Sequence, residues 1–185
     1  MAPKQRTSRR AGADAAPVPS RLWAPWRLPY LKMVPGARAC IFCFGKLTEG
    51  ERRKRLVLFE NHDAVIMLNR YPYTIGHLMV APRRHIASPE LLERAERSVI
   101  SDLVAHSVKV MRPLINPSGF NLGANLGRSA GAGFVDHMHW HIVPRWEGDT
   151  NFMTVLASTR VLSQSLEDSF KQLRPVFKTA GADLS

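Results

Sequence analysis

The 185-residue chain is poor in cysteine, in acidic side chains and in long apolar runs, and each shortage removes a class of protein. Its two cysteines, Cys40 and Cys43, stand only three positions apart, too close to staple a large loop, so a secreted disulfide scaffold is excluded. The longest apolar runs, Ala64–Leu68 and His77–Pro82, fall far short of the ~20 residues that cross a bilayer. Fifteen Asp and Glu stand against 26 Lys and Arg, a net charge of +11 that favours an anionic partner. Nucleic acid, nucleotide and phosphate all satisfy that charge. A hydrophobic content of 45% nevertheless supports a packed core rather than a wholly disordered chain.

The first twenty residues carry Lys4, Arg6, Arg9 and Arg10 against Asp14 and hold no apolar stretch of the ~7–15 residues typical of a signal peptide. The expectation is a disordered basic tail over residues 1–20, one domain over 21–178, a flexible end over 179–185, and a cytoplasmic location. A transit peptide is the competing reading of the tail, disfavoured by its Ala and Pro content and its lack of an amphipathic stripe. Arg21–Tyr30, with two tryptophans and a tyrosine among prolines, should wrap the surface. Glu51–Arg55 reads as a solvated turn. Leu56–Phe59 and Ala64–Asn69 read as a hairpin, and Gly76–Pro82 as a third strand.

Ser88-Pro89-Glu90 has the residues of a helix start, and Leu92, Ala95, Val99, Leu103 and Val110 recur at helical spacing, predicting a helix to about Met111 that Pro113 ends. Gly119–Ala124 reads as a fourth strand, 125–136 as a loop and His137–Pro144 as a fifth strand. Leu162, Leu166, Phe170 and Leu173 predict a C-terminal helix ended by Pro175. The fold class is therefore α+β: an antiparallel sheet of about five strands with one long helix and a C-terminal helix.

The fifth strand is the most informative segment. Side chains alternate along a strand, so His137, His139 and His141 share one face while Met138, Trp140 and Ile142 share the other. Aligned imidazoles suit metal binding or work on phosphate. A compact three-histidine metal site needs bending, because same-face neighbours on a strand lie about 6.5–7 Å apart. Phosphoryl chemistry uses the spacing as it stands, with a neutral imidazole as nucleophile and a second to meet developing charge. Upstream, Gly119–Gly127 and Ala130–Phe134 supply a glycine-rich backbone able to aim N–H groups at phosphate oxygens.

His137-Met138-His139-Trp140-His141-Ile142-Val143 resembles the histidine-triad (HIT) superfamily, whose motif is His-φ-His-φ-His-φ-φ with φ apolar. Leu68–Pro82 is similar to that family's nucleoside-binding hairpin and Gly-His strand, so the likeness spans roughly Cys40 to Trp146. Pro144–Met153 resembles the branch containing diadenosine tetraphosphate phosphorylases. The resemblance implies a HIT-like fold, a homodimer and nucleotidyl transfer on dinucleoside polyphosphates. His139 would attack the α-phosphorus, the main-chain carbonyl of His137 would orient its ring, and His141 would contact phosphate and assist the leaving group. Asn125 would bind the α-phosphate or bridging oxygen, with backbone N–H groups from Gly131, Gly133 and Phe134; many relatives carry Ser or Thr where this chain has Phe134. Asn69 would hold the ribose hydroxyls, with Met67 and Leu68 near the base. Trp146 and Asn151 would shape the acceptor side, or else form a rigid chain exit. His77 would support the nucleoside pocket, whereas His62 and His106 read as surface residues.

Inorganic phosphate as acceptor makes the chain a phosphorylase; water makes it a hydrolase of dinucleoside polyphosphates or nucleoside phosphoramidates. A nucleic-acid-binding module, motivated by the basic tail, is the reading from another class. It is the weaker one, since little of the excess charge lies in the motif. Cys40-x-x-Cys43 has the spacing of half a zinc site. The resemblance implies that His85 and His137 complete it as a structural zinc, with no organic cofactor. Two ordinary buried thiols remain an alternative; a redox dithiol lacks its usual βαβ context.

Overall fold

The computed structural model describes residues 40–150 and 162–180; the expected basic tail, Arg21–Tyr30, Asn151 and residues 181–185 lie outside them. The chain forms helix α1 (Glu49–Arg55), strands β1 (Val57–Glu60), β2 (Ala64–Leu68) and β3 (Leu78–Pro82), helix α2 (Arg94–Ile115), strands β4 (Gly119–Ala124) and β5 (Trp140–Arg145), and helix α3 (Leu166–Ala180). The strands make one antiparallel sheet in the order β1-β2-β3-β5-β4. This is the expected α+β architecture.

Strands β2 and β3 are buried along their whole length because both faces of the sheet are covered. Leu58, Ile66, Leu68, Leu78, Val80, Met138 and Ile142 pack into the main core beneath α2 and α3. Their alternates Val57, Val65, Met67, Met79 and Ala81 form a smaller core with Phe42, covered by the segment that begins at Cys40. The functional side chains share this second face.

Four boundaries differ from expectation, each for a local reason. Glu51–Arg55 is helical, not a turn, because Thr48 and Glu51 form a reciprocal capping box: the Thr48 N–H donates to Glu51 Oε2 at 2.8 Å and the Glu51 N–H to Thr48 Oγ1 at 3.3 Å. Ser88 does not cap the long helix, since its hydroxyl donates to the Glu90 carboxylate. Pro89–Leu91 is a short 3-10 turn, Leu92 drops into the core, and α2 starts after Glu93, which shares a capping box with Glu96. Arg84 donates to both oxygens of Glu96 at 2.9 and 2.7 Å and holds its carboxyl at about 2. Pro113 and Pro175 lie inside α2 and α3 rather than ending them. Burial of Phe177 beyond Pro175 contributes about 1.5–3 kcal/mol, comparable with the ~3 kcal/mol a helical proline costs. Leu162 stays exposed ahead of α3, and His106 is half-buried against Phe177 rather than on the surface, whereas His62 is exposed as expected.

The connection from β2 to β3 depends on Gly76. Its φ is +70°, and a Cβ there would stand 3.1 Å from both Ile115 Cδ1 and Met111 Cε. The preceding loop is fastened by the buried Thr74 hydroxyl, which donates to the Pro144 carbonyl at 2.8 Å. Gly76→Ala is expected to destabilise the protein by about 1–3 kcal/mol, read as a lower urea midpoint; an unchanged midpoint would show that α2 yields at no cost. Because the carboxyl of Glu96 is lowered from 4.5, its contribution to stability is full above that value and declines as pH falls toward about 2. Arg84→Met should therefore flatten the acid limb of the stability profile.

Candidate active site

The regular strand β5 begins only at Trp140, so the expected strand start at His137 is instead a bend, and His137 and His139 precede the strand. The Met138 N–H donates to the Ile86 carbonyl at 2.7 Å, which holds this approach against a neighbouring loop. The alternation survives: Met138 and Ile142 are buried in the main core, Trp140 packs on it, and the three histidines turn to the other face. There the triad divides. His139 and His141 line a cavity of about 370 Å³, while His137 turns to the two cysteines.

Within the cavity the rings of His139 and His141 lie edge to face, 4.9 Å between centroids. The Nδ1 of His139 is 3.1 Å from the His137 carbonyl, an oxygen that can only accept. Nδ1 therefore carries the proton and Nε2 the lone pair. Burial lowers the basicity of His139 below the ordinary imidazole value, against which the carbonyl contact acts.

His141 is pinned in the opposite sense. The Tyr73 N–H donates to His77 Nδ1 at 3.1 Å, and the Asn69 amide lies 3.5 Å from the same nitrogen. His77 consequently bears its proton on Nε2 and donates to His141 Nδ1 at 2.9 Å. His141 then holds its own proton on Nε2. Two adjacent imidazoles thus carry complementary functions, one a lone pair and the other a donor.

The remaining wall separates into apolar and polar parts. Ile41, Met67, Leu68 and Met79 give apolar surface, and Asn69, just after β2, adds a polar group. Asn69 is oriented by the Tyr71 N–H, which donates to its Oδ1 at 2.9 Å. Gly131, Gly133 and Phe134 line the cavity from the glycine-rich loop. The amides of Gly131 and Ala132 are already used within that loop, donating to the Arg128 and Gly127 carbonyls at 2.9 and 3.1 Å. The Phe134 ring packs edge-on against Phe42 at 5.9 Å, occupying the second core in place of a hydroxyl.

Asn125 and Trp146 are not among the residues lining this cavity. Asn125 follows β4, one position beyond the Ala124–Trp140 pair. The Trp146 indole N–H reaches the Ile115 and Asn116 carbonyls at 3.3 and 3.0 Å, so this ring closes the end of α2. Arg145 and Asp149 form a two-bonded ion pair beside it that holds the Asp149 carboxyl at about 2. Tyr73, Ile41, Arg55 and Arg70 also line the cavity. Sequence reading missed them, because an isolated apolar residue, a tyrosine and an arginine in a loop, and an arginine in a charged run carry no local signal.

Cys40, Cys43, His85 and His137 bring one ligand atom each within 4.8 Å of one another. Cys40 Sγ is 3.2 Å and Cys43 Sγ 3.4 Å from His137 Nδ1, Cys43 Sγ is 3.1 Å from His85 Nδ1, and the two Nδ1 atoms are 3.3 Å apart. Ligand atoms around a tetrahedral zinc, with bonds of ~2.0–2.3 Å, stand roughly 3.3–3.8 Å apart, so the four residues fit such an ion. His137 Nε2–H donates to the Pro82 carbonyl at 2.9 Å, which fixes the ring and turns Nδ1 toward the cluster. Burial and the neighbouring Cys40 push the Cys43 thiol up, as expected of two thiols that need a cation to ionise together. These four residues could hold a metal ion.

The model of the HIT domain matches residues 51–148. The "AP-4-A phosphorylase" of Mycobacterium tuberculosis (strain CDC 1551 / Oshkosh) is 35% identical over 159 residues, covering 83% of this chain and 82% of that protein. The "Adenosine 5'-monophosphoramidase hnt1" of Schizosaccharomyces pombe is 34% identical over 107 residues, covering 58% of this chain and 74% of its own length. Among solved structures, a hypothetical histidine triad nucleotide-binding protein from Sulfolobus tokodaii strain7 has the same fold at 23% identity and a TM-score of 0.57, covering 76% of this chain and 93% of that one. With the five-stranded sheet, the triad and these matches in agreement, the chain is an enzyme and belongs to the HIT domain family.

Proposed function

We propose that the protein is a nucleotidyltransferase of dinucleoside polyphosphates, converting diadenosine tetraphosphate and phosphate into ATP and ADP. The opposed pinning of His139 and His141 carries this reading. His139 Nε2 attacks the α-phosphorus and forms an N–P bond, while the bond from phosphorus to the bridging oxygen breaks. The Nε2–H of His141 donates to that oxygen as charge develops, and the nucleoside triphosphate leaves as an anion. A phosphate oxygen then attacks the same phosphorus, the N–P bond breaks, and its electrons return to Nε2. Splitting the exchange into two displacements lowers each barrier. The amides of Gly133 and Phe134 support the equatorial oxygens. Asn125 is assigned to the α-phosphate or bridging oxygen, Asn69 to the ribose hydroxyls, and Met67 and Leu68 to the base.

The 35% identity to an Ap4A phosphorylase over most of both chains favours phosphate as the acceptor. Water as acceptor is the second reading, favoured by the phosphoramidase relative. With diadenosine tetraphosphate, turnover should require phosphate and yield ATP plus ADP; phosphate-independent release of AMP plus ATP would establish the hydrolase instead. His139→Ala should reduce turnover by at least about 10³-fold and abolish the acid-labile nucleotidyl-protein trapped on quenching. Retained turnover would remove His139 as the nucleophile.

A structural zinc is assigned to Cys40, Cys43, His85 and His137. When bound, it neutralises the thiolates and ties the Cys40–Cys43 turn to the triad segment. A cytoplasmic homodimer completes the reading: both cysteines are free thiols, which suits a reducing compartment. Strand β4 leaves an edge of the sheet open, with Leu122 exposed on it and Leu126 just beyond. Among the described residues no helix is long and apolar enough to cross a membrane. Elemental analysis of protein purified without chelator should find about one zinc per chain, and Cys43→Ser should lower both that content and the thermal midpoint; far less than one zinc in the unaltered protein removes the assignment.

A further inference from the structure

The cavity has a second polar end, away from the histidines. In the sheet Met67 pairs with Met79 and Met79 with His141, so β2 and β5 stand two strand spacings apart, roughly 10 Å. Val57 pairs with Met67 one spacing further on, and Arg55 lies two residues before it. Arg55 therefore closes the cavity at the end opposite the reacting nitrogens, beyond the apolar surface of Ile41 and Met67.

Arg55 is held there by its neighbours. Leu56, which caps α1, adopts a left-handed conformation with φ 64°, a geometry that costs a residue with a side chain about 1–2 kcal/mol. Its side chain is buried in the main core, which secures the turn. The chain thereby breaks from helix to strand immediately after Arg55. Arg70, across the cavity rim, donates from Nη2 to the Lys54 carbonyl at 2.6 Å and braces the same turn. The Arg55 guanidinium lies 5.5 Å from the Phe44 ring centroid. Among the described residues Arg55 makes no ion pair, whereas its helix neighbours Arg52 and Arg53 bind Glu60 and Glu167.

We infer that Arg55 selects a 6-oxopurine, guanine before adenine, as the base held in this cavity, an inference that rests on the proposed nucleotidyl transfer at His139. With the α-phosphate at His139 and the sugar at Asn69, the base lies between Ile41 and Met67 and presents an edge to Arg55. A guanidinium only donates. Guanine offers it two acceptors, O6 and N7, in the spacing of its fork, whereas adenine offers N7 beside a competing N6 donor. One such two-bonded contact discriminates by roughly 10-fold or more. Arg70 acts as a positioning residue through the Lys54 carbonyl.

A mixed substrate, adenosine and guanosine joined by four phosphates, reads the choice directly. When guanosine occupies the cavity, the N–P bond forms at its α-phosphorus and the leaving group is ATP. When adenosine occupies it, the leaving group is GTP. The ratio of ATP to GTP is independent of whether phosphate or water accepts the nucleotidyl group. The full chain is expected to release ATP over GTP by about 10-fold or more, and the ratio should approach unity in Arg55→Met. Arg55→Lys should also lose the preference, since it keeps the charge but not the fork. If Arg55→Met loses turnover, the Arg55→Lys ratio decides. A ratio near one in the unaltered protein, an excess of GTP, or a preference that survives Arg55→Lys overturns the inference and leaves the transfer reaction standing. Failure to cleave both this substrate and diadenosine tetraphosphate overturns the transfer reaction and the inference with it.

Discussion

Met138, Trp140 and Ile142 are committed to the core beneath α2 and α3, and the rest of the site depends on that commitment. Extended backbone sends alternate side chains to opposite faces, so burying these three obliges His137, His139 and His141 to emerge together on the other side. A slip of one residue would exchange the two sets, placing three imidazoles in an apolar core and three large apolar side chains in the cavity. The register of β5 against β3 and β4 is thus a constraint on chemistry as much as on packing.

The opposite face shows how three equivalent sequence positions acquire different work. Phe42 lies with its ring 5.0 Å from that of His137 and 4.9 Å from that of His139, between the Cys40–Cys43–His85–His137 cluster and the cavity. The His137 backbone carbonyl orients His139, while its side chain faces the cysteines, so the two centres share one residue.

Part of the positive charge is paired with carboxylates within the fold. Arg52, Arg53, Arg84, Arg145 and Arg174 each meet a carboxylate, and those on α1 and α3 tie these helices to each other and to β1. Exposed pairs of this kind contribute little stability individually.

Periodicity was enough to locate all five strands and both longer helices, because alternation and helical spacing are local properties of the chain. The triad was legible for the same reason: three histidines at spacing two occupy one face whatever surrounds them. Helix ends were less legible. Thr48–Glu51 hid a capping box inside a charged run, and Pro113 and Pro175 were carried through by burial that becomes visible only when the helices pack. The division of the triad, the proton position on His141, and the placement of Arg55 at the cavity were decided by tertiary structure alone. Each depends on residues distant in sequence: Cys40 and Cys43 for His137, His77 for His141, and, for Arg55, the pairing of the adjoining Val57 with Met67 across the sheet. A chain read along its length records which side chains can share a face, but only the closed sheet brings together the groups that set their chemistry.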